Sequence, residues 1–117
     1  MKSNLFLFLF FHLTSTSIAK VLNVNLLAGG SYSYGSADGV GSNSQFYYPY
    51  GICVSFDGSF ALVAEYSNHQ IRQIILSTAS VSLLAGQTTS GISNTVGSNA
   101  QFNGPFAVTL SSDGSYA

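Results

Sequence analysis

Val40-Gly41-Ser42-Asn43-Ser44-Gln45-Phe46, followed by Pro49 and by Asp57-Gly58-Ser59, returns downstream as Val96-Gly97-Ser98-Asn99-Ala100-Gln101-Phe102, Pro105 and Asp113-Gly114-Ser115. The offset is 56 residues, or 57 for the pair Leu27-Ala28-Gly29 and Leu84-Ala85-Gly86. Self-similarity at such a period marks an array of supersecondary units, each burying its apolar faces against the next. The 117 residues hold one whole unit and part of a second, with boundaries at about 24–80 and 81–117. A toroidal array needs roughly four to eight units of four strands. The sequence is therefore expected to be the N-terminal fragment of a longer protein, in which the motif broken at Ala117 continues.

Between the repeated marks, short apolar runs are bounded by Gly, Ser, Asn and Asp clusters, without a sustained helical period. Four runs read as strands: Gly51–Phe56, Phe60–Tyr66, Gln70–Leu76 and Val81–Gly86. Asp57-Gly58 predicts a two-residue type I′ turn, which needs positive φ at both central positions. Tyr66–His69 and Ser77–Ser80 are the next two turns. The fold class is all-β, with one complete four-stranded antiparallel meander and parts of its neighbours. Val24–Gly29 aligns with the fourth strand of that meander, Val81–Gly86. It is expected to complete the last unit of a closed ring, pairing an edge that would otherwise stay open.

The long connection from Gly29 to Tyr48 has a constant half and a variable half. Phe46 and Phe102 anchor the constant half. The variable parts, Ser31 to Ala37 and Thr88 to Ser93, are expected to be exposed, and loops carried on a rigid scaffold are where binding usually resides. Tyr32 and Tyr34 are the contact-loop candidates there, because tyrosine offers area and hydrogen bonding at low entropic cost. Tyr47, Tyr48 and Tyr50 are assigned to packing between units.

Met1-Lys2, the apolar stretch Leu5 to Leu13 and the small residues Ser17 and Ala19 form the pattern of a secretory signal, expected to be cleaved after Ala19. The alternative, a membrane anchor, requires roughly 20 apolar residues, and Thr14 to Ser17 interrupts the run early. No membrane span is expected after cleavage. The segment beyond Ala19 carries Lys20 and Arg72 against Asp38, Asp57, Glu65 and Asp113, a net charge of −2. Two scattered cations cannot neutralise a nucleic-acid backbone, which excludes nucleic acid as a partner. The lone Cys53 rules out an intrachain disulfide and lies in an apolar run, as a small core residue does.

Together, Ala37-Asp38-Gly39-Val40-Gly41, Phe46, Pro49-Tyr50-Gly51-Ile52-Cys53-Val54, Asp57-Gly58 and the run Leu62 to Ile74 with its Asn68-His69-Gln70-Ile71-Arg72 core resemble an NHL repeat. The resemblance covers nearly all of the segment after Ala19. It implies a β-propeller whose blade is the meander above. Gly51, Asp57, Gly58, Glu65, Asn68, His69, Ile71 and Arg72 are its structural repeat residues. Two positions depart from the pattern: Glu65 stands where Asp is usual, and Asn94-Thr95 replace Asp38-Gly39 in the second copy. The loss of Asp38 there argues against a metal ligand repeated in each blade.

The remaining chemistry is sparse. His69 is the only histidine after Ala19, and zinc wants three or four convergent ligands. Asp57 and Asp113 each precede a turn glycine, so turn chemistry accounts for them without calcium. The Gly29 to Gly35 stretch lacks the ending of a phosphate loop and no helix follows it. No Ser-His-Asp set can be assembled. No catalytic, metal or cofactor residue is assigned. The sequence is read as a secreted or surface-displayed recognition scaffold for a protein or glycan. The alternative is part of a secreted propeller enzyme, a lactonase-like hydrolase or amidating-type lyase, whose metal and catalytic residues lie in other blades.

Overall fold

A computed structural model describes residues 24–30, 33–115 and 117. The signal-peptide assignment, Lys20 and Tyr32 lie outside the described residues. The described chain is β-rich, with one open sheet of order β1-β5-β4-β3-β2, all neighbours antiparallel. Its strands are β1 (Gly39–Val40), β2 (Pro49–Val54), β3 (Phe60–Glu65), β4 (Gln70–Ile75) and β5 (Ser80–Gly86). β2 to β5 form an up-down meander.

Three features differ from the sequence reading. The sheet has a fifth member, β1, two residues that pair with Ser80 and Val81 on the outer edge; a run this short carries no periodicity. β2 starts at Pro49 and ends at Val54, two residues earlier than its apolar run implied, because Ser55 to Ser59 are drawn into the turn.

That turn is also of another type. Gly58 N–H donates to Ser55 O at 2.9 Å, and Gly58 takes a positive φ of 71° while Asp57 does not. This is a type I turn closed by a left-handed glycine, rather than the type I′ turn that Asp-Gly predicted. The Asp57 carboxylate explains the choice. Its Oδ1 accepts from the Ser59 N–H at 3.0 Å and from the hydroxyls of Ser55 and Ser59 at 2.7 and 2.8 Å. Those bonds hold the aspartate in its ordinary conformation and leave the left-handed position to glycine.

The core follows from the central strands. β3 is buried along almost its whole length, which is why Phe60 to Glu65 reads as a continuous apolar run rather than an alternating one. One face of the sheet presents Ala61, Val63, Ile74 and Val81, covered by Ala28, just before the first connection, and Phe46 within it. The other presents Leu62, Ala64 and Ile71, covered by Phe102, Val108 and Leu110 from the second repeat. Phe46 and Phe102, counterparts in the two copies, thus lie on opposite faces of the meander.

The backbone repeats as the sequence does. Ser44 N–H donates to Gly41 O at 3.2 Å, as Ala100 does to Gly97 at 3.1 Å, and each pair closes a 3-10 turn, Gly41–Asn43 or Gly97–Asn99. Gln45 N–H donates to Ala37 O at 3.0 Å, as Gln101 does to Ser93 at 3.0 Å. Tyr48, left-handed at φ 49°, corresponds to Gly104 at 61°.

Candidate functional site

The chemistry gathers at the end of the sheet where β2 begins and β3 ends. Arg72 on β4 is buried with its side chain fully covered. Its Nη1 donates to Glu65 Oε2 at 3.0 Å and to Gln45 O at 3.1 Å; its Nη2 donates to Asp38 Oδ1 at 2.6 Å and to Ala37 O at 3.2 Å. The guanidinium lies 5.6 Å from the centroid of the Phe46 ring. Glu65, equally buried, accepts on Oε1 from the Tyr47 N–H at 2.7 Å and from Asn68 Nδ2 at 2.9 Å. Asn68 Nδ2 also donates to Gly35 O at 2.7 Å. Burial pushes the Glu65 carboxyl above its ordinary range, and the Tyr47, Arg72 and Asn68 donors pull against that rise.

This network binds the long connection to the sheet. Every donor or acceptor it uses outside β3, β4 and their turn lies between Gly35 and Tyr47. Arg72, Glu65 and Asn68 were assigned structural places from their motif. Asp38 and the Gln45 carbonyl were not read as their partners. The signal was there in the charge inventory, since a chain with one arginine and so few carboxylates must pair any charge it buries.

The other motif residues serve the join between copies. His69 is left-handed at φ 55°, and its Nδ1 accepts from the Gly104 N–H at 3.0 Å, which places the ring proton on Nε2. Ile71 packs beneath Phe102. A Cβ on Gly51 would stand 2.6 Å from Ala107 Cα and 2.7 Å from Phe106 O. Ala107 is the residue that corresponds to Gly51 in the second copy, so the two β2-like segments meet register to register. Asp57 and Gly58 stay in their turn, and Asp113 and Gly114 rebuild it with the same Ser–Asp bonds.

Around this end the rings are exposed. Tyr34 is 63% exposed and stacks on Tyr47 with centroids 4.7 Å apart, and Tyr47 leans on Tyr48 at 5.1 Å. Tyr50 stacks on Phe106 at 4.6 Å and meets Tyr66 edge-on at 5.6 Å; all three rings are half or more exposed or nearly so. The sequence offered Tyr32 and Tyr34 as the contact loop and sent Tyr50 into the packing. Tyr66 and Phe106 were missed, because only folding brings them beside Tyr50.

Among the described residues no three His, Cys, Asp or Glu side chains converge as metal ligands. Cys53 is half-buried, and burial pushes its thiol up, away from the reactive thiolate. No described helix is long and apolar enough to cross a membrane. An apolar hollow of about 460 Å³ opens between Ile71, Leu84, Phe102 and Val108 and holds no titratable side chain in its lining. No protein-family model matches the chain, and no curated protein matches it.

Proposed function

We propose that this chain is part of an NHL-type β-propeller, secreted or displayed outside the cell, that serves as a non-enzymatic recognition scaffold for a protein or glycan. The propeller reading is supported by an antiparallel meander whose two faces are covered by consecutive copies of the same motif. The contact of Gly51 with its own counterpart adds to it. The observation that carries the binding reading is the ring array at one end of the sheet. Tyr34, stacked on Tyr47, and the group of Tyr50, Tyr66 and Phe106, in contact with one another, remain exposed while supported by neighbouring rings, so they offer flat, hydrogen-bonding area at small entropic cost. The chain is only 6% charged. A neutral partner therefore suits the array.

The chain has seven tyrosines and no tryptophan, and three of the tyrosines belong to the array, so a change in emission that disappears on their substitution is assigned to it. Neutral oligosaccharides and candidate extracellular proteins are titrated against the wild type and against Tyr34→Ala and Tyr50→Ala. Binding that quenches tyrosine emission and is lost in the variants supports the reading. Binding that survives both substitutions removes the array from the site.

A further inference from the structure

We propose that Asn103-Gly104 is a self-modifying site, at which His69 is the general base that closes the Asn103 side chain onto the main chain and converts it to aspartate and isoaspartate. The reaction goes beyond the binding reading and does not depend on it.

Asn103 is the chain's only asparagine followed by glycine. That pairing matters because the nucleophile is the backbone nitrogen of the following residue, and glycine, with no Cβ, leaves its approach to the asparagine Cγ open. The two reacting atoms belong to adjacent residues, so closure is intramolecular. Asn103 is exposed, which leaves its carboxamide free to turn toward the main chain. What an amide nitrogen lacks is basicity, and it attacks only when a base removes its proton.

His69 is placed to do so. Gly104 N–H donates to His69 Nδ1 at 3.0 Å, so the proton that must leave already points at an imidazole lone pair. A carbonyl oxygen in that place would hold the proton without taking it; neutral imidazole can take it. Both partners are fixed by backbone geometry. His69 is left-handed at φ 55° in the turn before β4, and Gly104 is left-handed at 61°. A Cβ on Gly104 would stand 2.7 Å from Cε2 of the Tyr66 ring, so only glycine fits there. The first copy has Tyr47-Tyr48 at the corresponding positions, which makes the site particular to this join rather than a property of the repeat.

Water is the one co-reactant. The Gly104 N–H bond breaks and its proton passes to Nδ1, while the nitrogen pair bonds to Asn103 Cγ. The Cγ–Nδ2 bond then breaks, and the nitrogen leaves as ammonia with the proton returned from the imidazolium. Water opens the resulting five-membered imide at either carbonyl, and nothing is oxidised or reduced. Both products add a carboxylate beside the glycine on which Tyr66 packs, and isoaspartate lengthens the main chain next to the His69 bond. The join between the copies is therefore the part that changes with time. Solvent must break the His69–Gly104 bond to exchange the amide proton, whereas imidazole takes it within the bond.

The test incubates the whole chain in neutral buffer and follows each asparagine by peptide mass spectrometry, with isoaspartate scored by enzymatic methyl transfer. Asn103 should convert while Asn43, Asn68, Asn94 and Asn99 keep their amides, and it should convert faster in the folded chain than in urea. In His69→Asn the side-chain oxygen replaces Nδ1 as acceptor and the residue type tolerates the left-handed position, but no base remains. Conversion should slow by about tenfold or more, and His69→Ala should slow it as well. Loosening of the fold by either substitution would speed closure, so a slower rate cannot come from instability. Conversion in either variant at the wild-type rate or faster, or conversion no faster in the folded chain than in urea, overturns the proposal.

Discussion

Replacing Arg72 with methionine removes a buried cation from the join between the sheet and the first connection, and the geometry says where the penalty falls. Methionine refills the space of the aliphatic stem but ends short of the guanidinium, so a modest cavity term adds to the penalty. Asp38 is half-exposed, with 56% of its side chain accessible, and it returns to water at a cost under about 1 kcal/mol. Glu65 cannot do so. Its side chain has no exposure, and it keeps only the Tyr47 N–H and Asn68 as donors. Stranding one member of such a pair costs about 3–5 kcal/mol. Glu65→Leu strands Arg72 in the opposite sense, and the double substitution removes both charges at once. The double variant should therefore be less destabilised than the sum of the singles, by a coupling of up to about 3 kcal/mol. Urea unfolding followed by far-ultraviolet circular dichroism measures all three, and exchange at the Tyr47 amide reports on the loop itself. Domain stability is commonly only about 5–15 kcal/mol, so Arg72→Lys serves as a milder member that keeps the charge and loses the fork. Additivity within about 0.5 kcal/mol would show that the two side chains do not act as a unit, and would refute the reasoning.

Four further outcomes follow from individual positions. Gly51→Ala should destabilise by about 1–3 kcal/mol, measured by urea titration, because the new Cβ meets the backbone of Phe106 and Ala107, which cannot turn aside as a side chain can. Ala79→Gly should raise Tm by a few degrees, or up to about 1 kcal/mol, since Ala79 is held at φ 57°; an unchanged or lower Tm would count against strain there. His69→Ala should lower stability by about 1 kcal/mol through loss of the bond from Gly104 N–H, with faster exchange at that amide as the specific readout. Acid should loosen the two Asp-Gly turns: hydroxyl and backbone donors hold Asp57 below its ordinary value and Asp113 down to about 2. Because the folded value is the lower one, the contribution is complete above the unfolded value near 3.8 and is lost as pH falls toward about 2. In Asp57→Asn and Asp113→Asn, which keep a turn acceptor without a proton to gain, that part of the acid sensitivity should vanish from the melting curves.

The all-β class and the meander were legible because β-branched and aromatic runs between Gly, Ser, Asn and Asp clusters encode strands locally. Phe60 to Glu65, Gln70 to Ile75 and the final Gly86 stand within a residue of where those clusters put them. The Asp57 turn type was not legible, because Asp-Gly is compatible with two turns and the serines at 55 and 59 decide between them through side-chain bonds. β1 was not legible either: its pairing depends on where the first connection lands on β5, which no local pattern records. The same distinction holds at the candidate site. Tyr34 could be singled out as a loop tyrosine from its neighbours alone. The company of Tyr50, Tyr66 and Phe106 depends on a hairpin and on a join between copies, both non-local.

The buried charges have a role that apolar burial cannot fill in this chain. β4 is Gln70-Ile71-Arg72-Gln73-Ile74-Ile75, with isoleucines directed to both faces, and β3 is apolar on both faces as well. Hydrophobic patterning fixes register when one face is wet and the other dry, because a slip by one residue exposes the apolar set. Here both faces are dry, so a slipped β4 would still bury isoleucine. It would not still satisfy Arg72. One residue of slip turns the guanidinium toward Leu62, Ala64 and Phe102, where the described apolar cluster supplies no carboxylate, and leaves Glu65 buried without its cation on the face it vacated. A buried charge left uncompensated costs several kcal/mol, more than most single packing differences. The Arg72–Glu65 pair therefore selects one alignment among several of similar apolar content, and through Ala37, Asp38 and Gln45 it extends that selection to the connection that carries Tyr34.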